Sequence, residues 1–369
     1  MSFKKLTKYL DMIPEIYGIP HSELSVCYNH KLVYHHIVGN LPHGENSLYK
    51  FFSISKLYTV ALAMTFVEEG KIGLDDPVCK YIPAFKNMKV LKDGVISPAK
   101  NVITIRHLFS MRSGITYNQS EEFKEGCKKG LNTRELIDIL AKDPLIFDPG
   151  EGWFYGFSHD VLGAVLEVVE NKKFSEIMND RIIKPLGINK VGFFPSEEEK
   201  TRFVPMNNFK SKDYSTYQVD FDYYPYSPNF DSGGAGLYGT NTEYMKLPDA
   251  LANDGVGANG VRILKPETIA MIYENHMRDA ELHHMSGLRP GYGYGLGVRT
   301  HINKINSESA SPINEFGWDG AAASYVLVDT ENHLSIVWTT HVRGCGPAYR
   351  EIHPHIRNLT YSAIENDIL

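Results

Sequence analysis

The stretch SLYKFFSISKLYTVALAMTFVEEG, residues 47–70, carries the pattern Ser-x-x-Lys twice. Ser47 and Lys50 form one copy, and Ser53 and Lys56 form the next. A third copy, Ser97 with Lys100, lies downstream. A chain of 369 residues shows about one or two such patterns by chance. Context therefore has to choose among them. Residues 53–69 are apolar almost all round, as a buried helix is. Gly70 stands where a C-cap glycine would end that helix. On a helix, positions three apart share a face, which sets the Lys56 amine one turn from the Ser53 hydroxyl. A helix N-terminus also aims unpaired N–H groups at this point and favours developing negative charge. Burial favours a neutral amine able to accept a proton. Ser47 sits in an extended stretch, where residues three apart point to opposite faces. Ser97 precedes Pro98 in the polar run KDGVISPAKN, read as a loop. The plain alternative for the second copy is an N-cap serine with a snorkelling lysine.

Working outward, residues 3–16 repeat apolar side chains at helical spacing, and LSVCYNHKLVYHHIVG reads as a hairpin turning at Asn29-His30. Residues 75–165 mix short helices and loops. DVLGAVLEVVENKK (160–173) and the run FSEIMNDRIIKPLG are helices. Residues 200–235 are polar and rich in Tyr and Pro, and are read as loop. Helical signals return at 241–252 and 265–275. GYGYGLGVRTH, AAASYVLVD and HLSIVWTTH then read as three strands, followed by a helix over roughly 348–365. Strands at both ends with helices between predict an α+β chain. One antiparallel sheet is built from both termini and flanked by terminal helices, with a mostly helical insertion. The expected division is a single domain over 1–369, with a sheet part at about 1–52 and 285–369 and a helical part at about 53–284. A ligand cleft is expected where the two parts meet.

Net charge is -6, which excludes nucleic acid and anionic membrane as obvious partners. No apolar run is long enough to span a bilayer, and the N-terminus lacks the apolar core of an export signal. The four cysteines form no C-x-x-C. These features are read as a cytoplasmic protein with reduced thiols. The paired histidines at 35–36 and 283–284 and His353-Pro354-His355 have no metal-ligand spacing, so no metal and no cofactor is expected. SGGAG (232–236) and the glycines of 291–297 lack the strand–loop–helix setting of a phosphate or dinucleotide loop, and are read as a turn and a strand. No G-x-S-x-G elbow occurs, which argues against an α/β-hydrolase.

Residues 53–85, FSISKLYTVALAMTFVEEGKIGLDDPVCKYIPAF from Phe52 on, resemble the first conserved box of the serine β-lactamase and penicillin-binding-protein superfamily. Similarity is greatest to class C β-lactamases and the family VIII carboxylesterases. ITIRHLFSMRSGI (103–115), the run 148–193 from DPGEGWFYGFSHD onward, GGAGLYGTNTEYMKLPDAL, GYGYGLGV and FGWDGAAASYVLVDTENH follow in the family's order. The resemblance implies a β-lactamase/transpeptidase-like fold with Ser53 as nucleophile and Lys56 as its partner. Tyr155, in Tyr155-Gly156-Phe157, takes the place of the proton-shuttling tyrosine. Tyr273-Glu274-Asn275 keeps the letters Y-x-N but falls at the wrong place in the order. Phe157 stands where many β-lactamases have an Asn that holds the substrate amide, so an apolar wall is expected there. Trp318-Asp319-Gly320 matches the third box, usually Lys-Thr-Gly. Arg112-Ser113-Gly114 imitates that box ahead of the second one. The N–H groups of Ser53 and Ala321 are implied as an oxyanion hole. Trp318 in place of Lys removes a cation for a substrate carboxylate, which Arg343 could replace. Asp319 could repel anions or bind a cationic or hydroxylated group.

The function this implies is an acyl-enzyme serine hydrolase, an esterase or acyltransferase on small soluble esters. A β-lactamase or D-amino-acid peptidase acting on amides is the second reading. A catalytically silent ligand-binding relative is the third. Oligomeric state is not legible.

Overall fold

Leu6, Leu10 and Ile13 form the buried stripe of the first helix, α1 (Lys4–Tyr17). Gly18 ends it at φ +64°, with the Tyr214 carbonyl packed where a Cβ would sit. Only glycine fits both demands. The predicted hairpin follows as β1 (Ser22–Tyr28) and β2 (Lys31–Val38). Asn29 and His30 both have positive φ, 48° and 63°, the geometry that matches the twist of a tight hairpin. The computed structural model describes residues 2–220, 223, 226–287 and 289–368.

The C-terminal part supplies β3 (Tyr292–Tyr294), β4 (Arg299–His301), β5 (Phe316–Asp319), β6 (Tyr325–Asp329) and β7 (Leu334–Thr339). All join one antiparallel sheet in the order β3-β4-β5-β6-β7-β1-β2. The two ends of the chain meet in mid-sheet, where Val26 pairs with Ile336. Strand alternation sends Tyr325 and Leu327 to one face and Val326 and Val328 to the other. The first face packs on α1 and on the closing helix, α4 (His353–Ile368). The second packs on α2 (Ser55–Glu68) and the helix Lys246–Ala252, with α3 (Ser158–Glu170) against α2 in the same core. Both faces are covered, so the strands read as continuous apolar runs rather than as alternation. This is the α+β arrangement expected from the sequence. Among the described residues no helix is long and apolar enough to cross a membrane.

Four local expectations are corrected. GYGYGLGVRTH is two strands, because Gly297 at φ +85° turns the chain between β3 and β4. Ser97 lies in a strand of a small exposed hairpin (Lys89–Lys92 with Val95–Pro98), turned by Asp93 and Gly94, rather than in a loop. Within 200–235, Asn207–Lys210 pairs with Ser215–Gln218 on one side and with Val342–Arg343 on the other. These strands are short and carry no period that sequence could reveal. Positions 221, 222, 224 and 225 of that run lie outside the described residues. The helix expected over 160–173 runs instead over Ser158–Glu170, and the Ser158 hydroxyl bonds the Ser113 hydroxyl at 2.8 Å.

Glu167 of α3 is 5% exposed. Burial pushes its carboxyl up to about 7, against the N–H bond it accepts from Phe174 at 2.9 Å. The unfolded carboxyl ionises near 4.5. A raised folded pKa means that the stabilising contribution is complete below the unfolded value and is lost as pH rises through about 7. Glu167→Gln should therefore be as stable as wild type near pH 5 and more stable, by roughly 1–3 kcal/mol, near pH 8. Urea unfolding at the two pH values measures this, and equal stability at both would refute it.

Candidate active site

The turn before α2 is a 3-10 turn, Phe52–Ile54, and Ser53 sits in it rather than in the α-helix itself. Phe52 has φ +48°, an unusual value for a bulky residue and one that stores strain. Several bonds hold the turn in place. Phe51 N–H donates to the Leu237 carbonyl at 3.0 Å, Leu237 N–H to Ser55 Oγ at 3.1 Å, and Tyr244 O–H to the Ile54 carbonyl at 2.8 Å. The strain is thus fixed by backbone and side-chain bonds from residues 237–244.

Lys56 is fully buried on the first turn of α2. Its Nζ donates to Ser53 Oγ at 3.2 Å, to Tyr117 Oη at 3.1 Å and to the Gly234 carbonyl at 2.7 Å. Nζ also lies 4.7 Å from the centre of the Tyr155 ring. The Tyr155 oxygen accepts a bond from Trp318 Nε1 at 2.8 Å, and the two rings stack at 5.3 Å. The structure therefore brings Ser53, Lys56, Tyr155 and Trp318 together. Ser47 and Ser97 lie elsewhere: Ser47 Oγ accepts the His43 N–H, and Ser97 is exposed.

Gly320 follows β5, and its backbone passes so near Phe51 that a Cβ there would lie 2.6 Å from the Phe51 carbonyl. That close approach brings the end of β5 beside the Ser53 turn and explains the glycine. Among the described residues neither the Ser53 N–H nor the Ala321 N–H is taken up by another group. Arg343 lies over the ring of Phe52, the residue before Ser53 in the chain, at 5.2 Å.

Two residues expected at the substrate are found elsewhere. Asp319 leaves β5 on the face opposite Trp318. Its Oδ2 accepts from Arg289 Nε at 2.6 Å, and its Oδ1 lies 3.3 Å from His353 Nδ1 and 3.8 Å from Arg299 Nη1. Burial pushes this carboxyl up, but Arg289, His353 and Arg299 outweigh it and hold it well below the usual carboxylate range. Asp319 is thus a neutralised structural charge. Asp319→Asn leaves buried guanidiniums short of a counter-charge and should cost roughly 3–5 kcal/mol in urea unfolding. A loss under 1 kcal/mol would contradict this account. Phe157 is fully buried against Tyr117, Phe123 and Tyr226, with no surface for a substrate to touch. Its ring supports Tyr117 and is not itself the wall.

Sequence reasoning missed Tyr117, Gly234 and Asp160. Tyr117 keeps 37% of its surface exposed, yet its hydroxyl reaches Lys56, and loss of hydration pushes that phenol well above its usual value. No spacing ties Tyr117 to Lys56. Gly234 belongs to SGGAG, read above as a plain turn. Asp160 Oδ1 accepts from Ser232 Oγ at 2.6 Å and from Gly234 N–H at 3.1 Å, which aims the Gly234 carbonyl at Lys56. A Cβ on Gly234 would meet Asp160 Oδ2 at 2.6 Å. The rival patterns are structural. Asn275 accepts the N–H groups of Met277 and Tyr294, and Arg112 pairs with Glu281. Among the described residues no group of three or more His, Cys, Asp or Glu could hold a metal ion.

Known proteins share this architecture. The solved structure of EstCE1, described as a hydrolase with promiscuous acyltransferase activity, superposes with a TM-score of 0.80 at 23% identity, over 97% of this chain and 98% of that one. Protein Rv1367c of Mycobacterium tuberculosis is 26% identical over 321 residues, 83% of this chain and 80% of its own. Esterase EstB of Burkholderia gladioli is 26% identical over 331 residues, 81% of this chain and 79% of its own. The family model described as Beta-lactamase matches residues 6–360, a span that takes in the Ser53 turn, the Tyr155 segment and the strand ending at Gly320. With that match across nearly the whole sequence, the chain belongs to the β-lactamase family.

Proposed function

We propose that this protein is a serine hydrolase that works through an acyl-enzyme, with small esters as its substrates. One observation carries the reading: Ser53 Oγ lies 3.2 Å from the buried amine of Lys56, beside two N–H groups that no other described residue takes up. In the proposed reaction Ser53 Oγ bonds to the ester carbonyl carbon and gives its proton to the Lys56–Tyr155 pair. The N–H groups of Ser53 and Ala321 donate to the oxyanion that forms. The pair returns the proton to the leaving alkoxide as its C–O bond breaks. Water, or an alcohol as acyl acceptor, then attacks the acyl-enzyme along the same path. Arg343, over the Phe52 ring, would draw in a substrate carboxylate.

Ester preference is supported by Phe157 and Trp318, which stand where lactam-directed members have an amide and a cation. The similarity to Esterase EstB points the same way. Four free cysteines, Cys27, Cys79, Cys127 and Cys345, fit the proposed cytoplasmic setting. Initial rates on p-nitrophenyl butyrate and on a chromogenic cephalosporin test the reading. The butyrate should be turned over with kcat/KM at least about a hundredfold above that for the cephalosporin. Preference for the cephalosporin would move the lactam reading to first place.

A further inference from the structure

One cavity lies away from Ser53. It has a volume of about 620 Å³ and lies on the other face of β5, between the sheet and α4. Asp319 lines it, whereas Ser53, Lys56 and Tyr155 do not. Its inner wall holds three arginines, Arg289, Arg299 and Arg357. Two carboxylates balance them. Asp319 pairs with Arg289, and Glu315 with Arg299 at 3.1 Å.

Arg357 is left over. It is 5% exposed, and its bonds go to neutral groups: Nη1 to Tyr292 Oη at 2.6 Å and Nε to Asn358 Oδ1 at 3.2 Å. Among the described residues no carboxylate stands within ion-pair distance of it, and Glu315 reaches it only through the Tyr292 hydroxyl, which donates to Glu315 Oε2 at 2.7 Å. A buried guanidinium without a counter-charge is costly, and a second anion would remove that cost. Two further polar atoms on the wall lack hydrogen-bond partners. They are Arg299 Nη1, which has the long 3.8 Å ion pair to Asp319 Oδ1 but no hydrogen bond, and Tyr325 Oη, on residues each 2% exposed. Both are donors. Exposed Glu308 and Arg350 and half-buried Glu351 stand at the mouth, where water and salt screen them far more than the interior.

We propose that this cavity is a second, non-catalytic site for a small organic monocarboxylate. Its carboxylate bridges Arg357 and the free donors of Arg299 and Tyr325. Its carbon skeleton lies against the rings of Tyr292, Tyr325 and Tyr349. One negative charge matches the excess of one arginine on the inner wall, whereas a dianion would overshoot it. The site adjoins the strand end that carries Gly320, whose carbonyl accepts the Tyr349 hydroxyl at 2.9 Å. Occupancy would be felt there, although the site itself does not depend on the hydrolase reading.

Calorimetric titration of the Ser53→Ala protein with sodium benzoate at fixed ionic strength tests this. One saturable site is expected, weakened tenfold or more by adding Arg357→Gln and several-fold by adding Tyr325→Phe, with unchanged circular dichroism. Should Arg357→Gln fail to fold, Tyr325→Phe decides, since it removes a single unpartnered hydroxyl. Absence of saturable benzoate binding would overturn the proposal. So would binding that neither cavity substitution alters, or inorganic phosphate binding tighter than benzoate.

Discussion

Ser53→Ala should lower ester turnover by roughly 10⁴–10⁶-fold and abolish labelling by a fluorophosphonate probe, with the melting temperature unchanged. The size follows from what is lost. Without Oγ no acyl-enzyme forms, and only binding and the oxyanion donors remain to assist water. The fold should not suffer, because the Ser53 side chain makes one hydrogen bond, at 3.2 Å to Lys56, and packs nothing else in place. Lys56→Ala is a less clean experiment. That amine makes three bonds in a fully buried position, so its loss mixes catalysis with stability. Intact mass after labelling, followed by peptide mapping, should place a single adduct on Ser53. An adduct on Ser47 or Ser97, or activity retained by Ser53→Ala, would sink the mechanism and leave a silent binder as the better reading.

The strain at Phe52 bears on the same result. A bulky residue at φ +48° costs on the order of 1–3 kcal/mol. The bonds from Leu237 and Tyr244 hold the turn despite that cost. Sequence could show that an apolar helix begins near Ser53. It could not show this turn, because nothing in the string FFSIS announces a positive φ.

That contrast runs through the whole chain. The hairpin at Asn29-His30, the buried helix after Ser53 and the strands β6 and β7 were legible because each is dictated by its own residues: turn propensity, apolar periodicity, β-branched runs. What was not legible depends on partners far away in sequence. Gly234 meets Lys56 only because Asp160, on α3, holds the turn. Asp319 looks like a substrate contact in the string WDG until β5 alternation sends it to Arg289 and His353. Phe157 looks like a pocket wall until Tyr117 covers it. Family resemblance placed Ser53, Lys56, Tyr155 and Trp318 on one site. It gave no reason to expect Tyr117, whose hydroxyl lies against the buried amine.

Two tyrosines thus compete for the proton relay, and their substitutions should separate. Tyr155→Phe should lower kcat by about 10²–10⁴-fold with KM little changed, whereas Tyr117→Phe should cost about tenfold or less. Tyr117 is the one in direct contact with Lys56, which on distance alone would favour it. Electrostatics argues the other way. Loss of hydration holds the Tyr117 phenol well above its usual value, so its phenolate is harder to form and its proton harder to pass on. It can still accept the Lys56 N–H and hold that amine toward Ser53, which makes it a positioning residue. Tyr155 differs in its partners. Its oxygen accepts the Trp318 N–H at 2.8 Å, and its ring lies 4.7 Å from the Lys56 amine. Its oxygen thus already holds a donor, and its ring adjoins the amine that must exchange the Ser53 proton. Trp318→Phe removes the first of these without removing the aromatic stack, and should lower kcat by about tenfold while leaving KM and labelling of Ser53 intact. If Tyr117→Phe were the more damaging change, the relay would run from Lys56 to Tyr117, and Tyr155 with Trp318 would be a wall for the acyl group.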